Sequence, residues 1–246
     1  MKGVITAGGT GSRLLPITAV TNKHLLPVYD RPMIHYPLTT LVQAGIEDIM
    51  IVTGGDHAGD FLRVLGNGAA YGLKRLHYAY QEGSGGIADA LALAEDFADG
   101  GPLAVVLGDT IIEGNINASV AAYRANPCGA RIFLKEVEDP SRFGVAVLEG
   151  DRVAAIIEKP TVPPSPYAVI GIYLYDARVF DVIRGLTPSA RGELEITDVN
   201  NSYIAWGEMS YRILSGWWTD AGTFPSLLRA SNLVAASGAN RTDIVN

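Results

Sequence analysis

The chain of 246 residues has one cysteine, Cys128, and four histidines. A lone thiol excludes an intramolecular disulfide framework. No H-E-x-x-H string or Cys/His cluster occurs, which argues against zinc. Cations are scarce: 19 Lys and Arg stand against 26 Asp and Glu, a net charge of −7. That balance opposes a nucleic-acid-binding surface and leaves room for a local basic cleft. No apolar run reaches the ~20 residues that cross a bilayer. The N-terminus lacks the basic-then-apolar layout of a signal peptide. The expectation is therefore cytoplasmic, with no membrane or nucleic-acid partner. Repeats, heptads and low-complexity tracts are missing too. What the chain has is apolar mass, 48% of its residues, enough for the core of a large α/β domain.

The densest information lies in Gly3–Pro27, GVITAGGTGSRLLPITAVTNKHLLP. Gly3–Ala7 reads as a buried strand. It runs into Ala7-Gly8-Gly9-Thr10-Gly11, then Ser12 and the cation Arg13; ten residues on stands Lys23. Glycines let backbone N–H groups approach phosphate oxygens. A turn or helix starting there adds unpaired N–H groups. Two cations then supply full charge, and the planar fork of Arg suits two oxygens at once. The stretch reads as a polyphosphate site. It is not a dinucleotide fingerprint, because Leu14 stands where the last glycine or alanine belongs, and no Gly-Lys pair makes a P-loop.

Further on, the pattern alternates strands and helices, as in a parallel sheet. Strands are expected at 46–53, 76–80 and 103–107, with helices at 33–44, 57–65, 87–98 and 115–125. Strands at 131–136, 145–148, 153–157 and 168–175 follow, then a helix at 177–184 capped by Asp176, a last strand at 211–214 and a closing helix at 224–236. Residues 237–246 read as a frayed polar tail. Gln81 carries an amide able to pair with a nucleobase edge. Asp109 ends the buried run LAVVL, a poor place for stability and a good one for Mg²⁺, which takes one or two carboxylates plus phosphates and waters. Arg191 suits a phosphate clamp, with Glu195 and Asp198 as buried partners that order it.

The strings GGTGSRL, K-x-L-L-P-V at 23–28, D-P-x-x-F-G at 139–144, E-K-P at 158–160, RGELEITD at 191–198 and W-x-D-x-G-T at 218–223 resemble the signature of sugar-1-phosphate nucleotidyltransferases. Among these the chain is most similar to the glucose-1-phosphate thymidylyltransferases. The resemblance implies a doubly wound, mostly parallel α/β sheet as a single domain over 1–246, with a small antiparallel sugar-binding portion. The nucleotide side would cover about 1–110 and the sugar side about 111–220. It implies dTTP and glucose 1-phosphate as substrates, Mg²⁺ on Asp109 and Asp220, and a homo-oligomer, tetramer or dimer, in a deoxysugar route. The loop Ala7–Gly11, Arg13 and Lys23 would hold nucleotide phosphates; Gln81 and Gly86 the base. Gly144, Glu158 and the main chain of Val169 would face the sugar, and Lys159 and Arg191 its phosphate. Thr110 stands where these relatives carry Asn, so its role stays open.

The same chemistry on UTP, CTP or another sugar phosphate remains an alternative, as does a catalytically silent binder. A dehydrogenase is weakened by Leu14. The resemblance also sets an expectation about regulation. Many relatives continue into a helical C-terminal region that forms a regulatory nucleotide site, so feedback of that type should be absent or different here.

Overall fold

The computed structural model describes residues 1–244. Its strands are β1 (Lys2–Ala7), β2 (Pro27–Val28), β3 (Arg31–Pro32), β4 (Asp48–Gly54), β5 (Arg75–Gln81), β6 (Leu103–Leu107), β7 (Thr110–Ile112), β8 (Ala130–Glu136), β9 (Gly144–Glu149), β10 (Arg152–Glu158), β11 (Tyr167–Tyr175), β12 (Met209–Ile213) and β13 (Trp218–Asp220). The helices are α1 (His35–Gln43), α2 (Ala58–Leu65), α3 (Ile87–Ala92), α4 (Glu95–Ala98), α5 (Asn117–Ala125), α6 (Val179–Arg184), α7 (Ile196–Ala205) and α8 (Phe224–Ser237).

Strands β5, β4, β1 and β6 lie side by side and parallel. Their continuous apolar runs reflect burial on both faces. Val4, Val52 and Val105 point into one layer, closed by α3, α4, α6 and α7. Ile5, Ile51 and Val106, one residue on, point into the other, closed by α1, α2 and α5. The period of two along each strand thus builds a doubly wound sheet.

Beyond β6 the sheet turns antiparallel, except that β12 lies parallel to β8. β11 pairs with β6 through Ile172–Tyr175, touches β9 at Ala168, and pairs with β8 along its other edge. A bulge separates Val169 from Tyr173, and Gly171 sits inside it at φ 73°. A side chain there would meet Leu107 at 2.7 Å and the Thr110 hydroxyl at 2.8 Å. Glycine is what lets β11 bend against the end of β6.

The structure departs from the sequence expectations at several places. The helix at 87–98 is broken into α3 and α4 around Leu93-Ala94. The expected last strand is followed by another, β13. Helix α7 lies where only a motif was read, because its apolar face is carried by few positions, Ile196, Val199 and Tyr203. Asp176 does not itself begin a helix: its Oδ1 accepts the Arg178 amide, and α6 starts at Val179. The tail is ordered as far as it is described. Asn240 is buried, its side chain donating to Thr40, its own amide to Ile112. Asn115 donates to the carbonyls of Arg241 and Ile244. Residues 245 and 246 of the expected tail lie outside the described residues. Among the described residues no helix is long and apolar enough to cross a membrane.

Asp176 joins the antiparallel part to the helical layer. Its carboxylate accepts from the Gly129 amide at 2.8 Å, Tyr203 at 2.8 Å and Arg178, which also reaches Glu208. Burial would raise its pKa, but Arg178, Tyr203 and the Gly129 amide outweigh that and hold it below the usual range. A depressed folded-state pKa stabilises above the unfolded value and is lost as pH falls through the folded one. Asp176→Ala should cost about 3 kcal/mol in urea unfolding, since it strands buried donors. The wild-type advantage over the variant should shrink as pH drops below about 4.

Candidate active site

The C-terminal ends of β1 and β6, with the bulged stretch Val169–Tyr173 of the antiparallel β11, open into a cavity of about 640 Å³. Thirteen of the sixteen expected site residues line it: Gly8, Gly9, Arg13, Lys23, Gln81, Gly86, Asp109, Gly144, Glu158, Lys159, Val169, Arg191 and Asp220. Ala7, Thr10 and Gly11 do not. Ala7 is fully buried and its carbonyl takes the Asn22 side chain. Gly11 has φ 61°, its carbonyl accepts from the Thr18 hydroxyl, and a Cβ there would clash with the Thr18 methyl. It shapes the loop from behind. A 3₁₀ turn, Ser12–Leu14, follows the loop and turns Arg13 to the cavity.

Asp109 and Asp220 are brought together by backbone pairing. β13 runs antiparallel to β7 with Asp220 opposite Thr110, and the Ala221 amide donates to the Asp109 carbonyl at 3.1 Å. A Cβ on Gly222 would lie 3.3 Å from Asp220 Oδ2, 3.4 Å from Asp109 Oδ2 and 3.1 Å from the Arg13 guanidinium. Two carboxylates and a cation therefore converge where Gly222 has no side chain. That donor set fits Mg²⁺, an oxygen-seeking ion that keeps places for phosphates and waters. Among the described residues no group of three or more His, Cys, Asp or Glu forms a metal cage. Thr223, next in line, caps α8 through a reciprocal pair with Ser226.

Each carboxylate has its own counter-ion. Lys23 Nζ stands 2.7 Å from Asp109 Oδ2, and Arg142 stands 3.1 Å from Asp220 Oδ2. Burial alone would raise the Asp109 pKa, but Lys23 and Arg13 hold it at about 2. The neighbouring His24 ring is pushed down to about 3 by burial first and by Lys23 second, so it is neutral at ordinary pH. Asn22 Oδ1 takes its Nδ1–H and its backbone amide.

At the other end of the cavity, where the sugar is expected, Glu158 accepts from Thr197 at 2.6 Å and pairs with Lys159 at 3.1 Å. Lys159 has φ 43°, an uncommon backbone state for a side-chain-bearing residue, held by its amide bond to the Phe143 carbonyl. A Cβ on Gly144 would press on Thr197 and Glu158 at 3.3 and 3.4 Å. Arg191 is gripped in two-pronged fashion by Glu195 and faces Glu193 and Glu158 at 3.4 and 3.6 Å. Burial opposes the charge on Arg191, but these carboxylates raise its pKa. Asp198, expected as a second buried partner, is exposed and makes no ion pair with Arg191; desolvation first, then the nearby Glu195 and Glu158, raise its pKa.

Sequence reasoning passed over Arg142, Thr197 and Gly222. Arg142 lies inside the D-P-x-x-F-G string as a variable position; only the fold shows that it faces Asp220. The open question of Thr110 is answered by geometry. Thr110 is 3% exposed, and its hydroxyl donates to the Ile170 carbonyl at 3.0 Å and secures the β11 bulge under the cavity.

The sequence model described as "Nucleotidyl transferase" matches residues 2–237. A glucose-1-phosphate thymidylyltransferase from an Actinoplanes species is 47% identical over 96% of this chain and 78% of its own length. One from Neisseria gonorrhoeae is 44% identical, covering 95% and 82%. A crystal structure of a Bacillus anthracis protein assigned as a glucose-1-phosphate thymidylyltransferase, in complex with sucrose, superposes with TM-score 0.92 at 50% identity over the whole of both chains. UDP-glucose pyrophosphorylase with UDP-glucose superposes with TM-score 0.81 at 25% identity, covering 95% and 98%. With its glycine loop, its two facing carboxylates and this degree of likeness along its length, the chain belongs to the nucleotidyl transferase family, among the glucose-1-phosphate thymidylyltransferases.

Proposed function

We propose that this chain transfers a thymidylyl group from dTTP to α-D-glucose 1-phosphate, giving dTDP-glucose and pyrophosphate. The observation that carries the mechanism is the convergence of Asp109, Asp220 and Arg13 on the space beside Gly222. A phosphate oxygen of the sugar phosphate attacks the α-phosphorus in line. The bond to the bridging oxygen breaks, and that oxygen leaves with the β and γ phosphates. The sugar phosphate is already ionised at neutral pH, so no side-chain nucleophile or base is required. Charge neutralisation and positioning carry the rate.

Asp109 and Asp220 are the residues that would hold Mg²⁺. The ion, when bound, supplies positive charge at the α-phosphate. Arg13 faces the leaving pyrophosphate, and Lys23 passes from Asp109 to the nucleotide phosphates. Lys159 and Arg191 bring the sugar phosphate against that charge. Glu158, fixed by Thr197, accepts from sugar hydroxyls, with Gly144 and the main chain of Val169 beside it. Gln81 and Gly86 take the base. The reading extends to a cytoplasmic homo-oligomer; Phe224 and Leu228, exposed one turn apart on α8, are apolar surface that self-association could cover.

Pyrophosphate release with Mg²⁺ and glucose 1-phosphate, scanned over dTTP, UTP, CTP, ATP and GTP, tests the assignment. Strong release with dTTP is expected, reduced at least ~100-fold in Asp109→Asn. Release only with another nucleotide would sink the thymidylyl assignment and keep the mechanism. Gly222→Ala places a methyl among the three converging groups. It should raise the half-saturating Mg²⁺ concentration about tenfold, roughly the effect of a 1.4 kcal/mol loss, with the unfolding midpoint little changed. Glu195→Gln frees Arg191 from its grip and should raise KM for glucose 1-phosphate several-fold while leaving KM for dTTP in place. Equal rises in both would show that Arg191 does not serve the sugar phosphate.

A further inference from the structure

The amide of Gln81 has its two ends sorted by its neighbours. Its Nε2 lies 3.0 Å from the Gly86 carbonyl and 2.7 Å from Asp89 Oδ2. Both partners are acceptors, so the nitrogen must face them; a reversed amide would set oxygen against two oxygens. An amide nitrogen carries two hydrogens, and both are engaged. Oε1 is what remains, and it can only accept. It is turned to the glycine loop, where a Cβ on Gly8 would sit 2.6 Å away. Gln81 and Gly8 line the cavity; Asp89, in the first turn of α3, stands behind Gln81 and does not. The neighbouring loop is cut to fit Asp89: a Cβ on Gly85 would lie 2.5 Å from its Oδ2.

We propose that Asp89 is a positioning residue for base selection, locking Gln81 as an acceptor so that the site takes pyrimidine nucleotides whose ring N3 carries a proton and rejects cytosine. This rests on the reading that Gln81 faces the base. Thymine and uracil present N3–H to Oε1. Cytosine presents a lone pair at N3, and two acceptors then meet with no proton between them. Its one donor on that edge is the exocyclic amine, which reaches Oε1 only if the ring slides out of register. The device discriminates by proton placement, so it does not separate thymine from uracil.

Titration calorimetry of dTTP, dUTP and dCTP against the wild type, Asp89→Ala and Gly85→Ala tests this. Gly85→Ala keeps the carboxylate and pushes it off Gln81, so two different changes address one contact. The wild type should bind dTTP at least ~10-fold more tightly than dCTP, the size of one unmade hydrogen bond in a buried site. Both variants should lose most of that preference, while the dTTP to dUTP ratio stays constant. A merely structural role for Asp89 would weaken all three nucleotides together. A wild type that binds dTTP and dCTP equally, or variants whose ratio is unchanged, would overturn the proposal. If the preference is present and lost as expected but no pyrophosphate is released in the turnover assay, the reaction assigned above fails while the role of Asp89 stands.

Discussion

The site depends on a strand pair three residues long. Asp109 directly precedes β7 and Asp220 is the last residue of β13, and the antiparallel register of the strands brings the two together. Two carboxylates this close repel each other. Lys23 and Arg142 each neutralise one of them, and Arg13 approaches both. Burial of Asp109 makes that compensation necessary, because a desolvated carboxylate without a partner would take up a proton. The outcome is a carboxylate that stays ionised far below neutral pH.

Much of the surrounding architecture serves that pair. The β11 bulge leaves room for the end of β6, and the Thr110 hydroxyl ties the bulge to β7. The segment after α8 extends the other side: Asn240 donates to the Ile112 carbonyl and Arg241 to that of Glu113. Trp217, just before β13, donates its indole N–H to Ser237 at the end of α8. The short pair is thus held at its flank by chain that sequence reading had marked as frayed. Three-residue strands have little stability of their own, and these contacts supply the constraint.

The Glu158–Arg191 end of the cavity follows a different rule. There the cations are outnumbered: Arg191 alone faces Glu158, Glu193 and Glu195. The carboxylates hold the guanidinium in place without burying it, and leave it able to meet a phosphate. Glu158 is in turn fixed by Thr197 in the first turn of α7. Helix α7 was not foreseen as a helix, yet its N-terminal residues order the acidic side of the pocket.

Local pattern was enough for the sequence to determine the buried parallel strands, the glycine loop, the cations that follow it, and the motifs that carry the family resemblance. Strand periodicity, glycine at a tight loop and charge spacing act within a few residues, so they are readable along the chain. The meeting of Asp109 with Asp220 was inferred from resemblance; in the chain they stand more than a hundred residues apart, and the β7–β13 register is what joins them. Arg142 on Asp220, Thr110 on Ile170, Asp89 on Gln81 and the docking of Asn240 had no local mark. Each is a contact that only a completed sheet and its packed helices bring within hydrogen-bond reach. Asp198 shows the converse: a charged residue inside a strong motif that is exposed, while Glu158, Glu193 and Glu195 pair with Arg191.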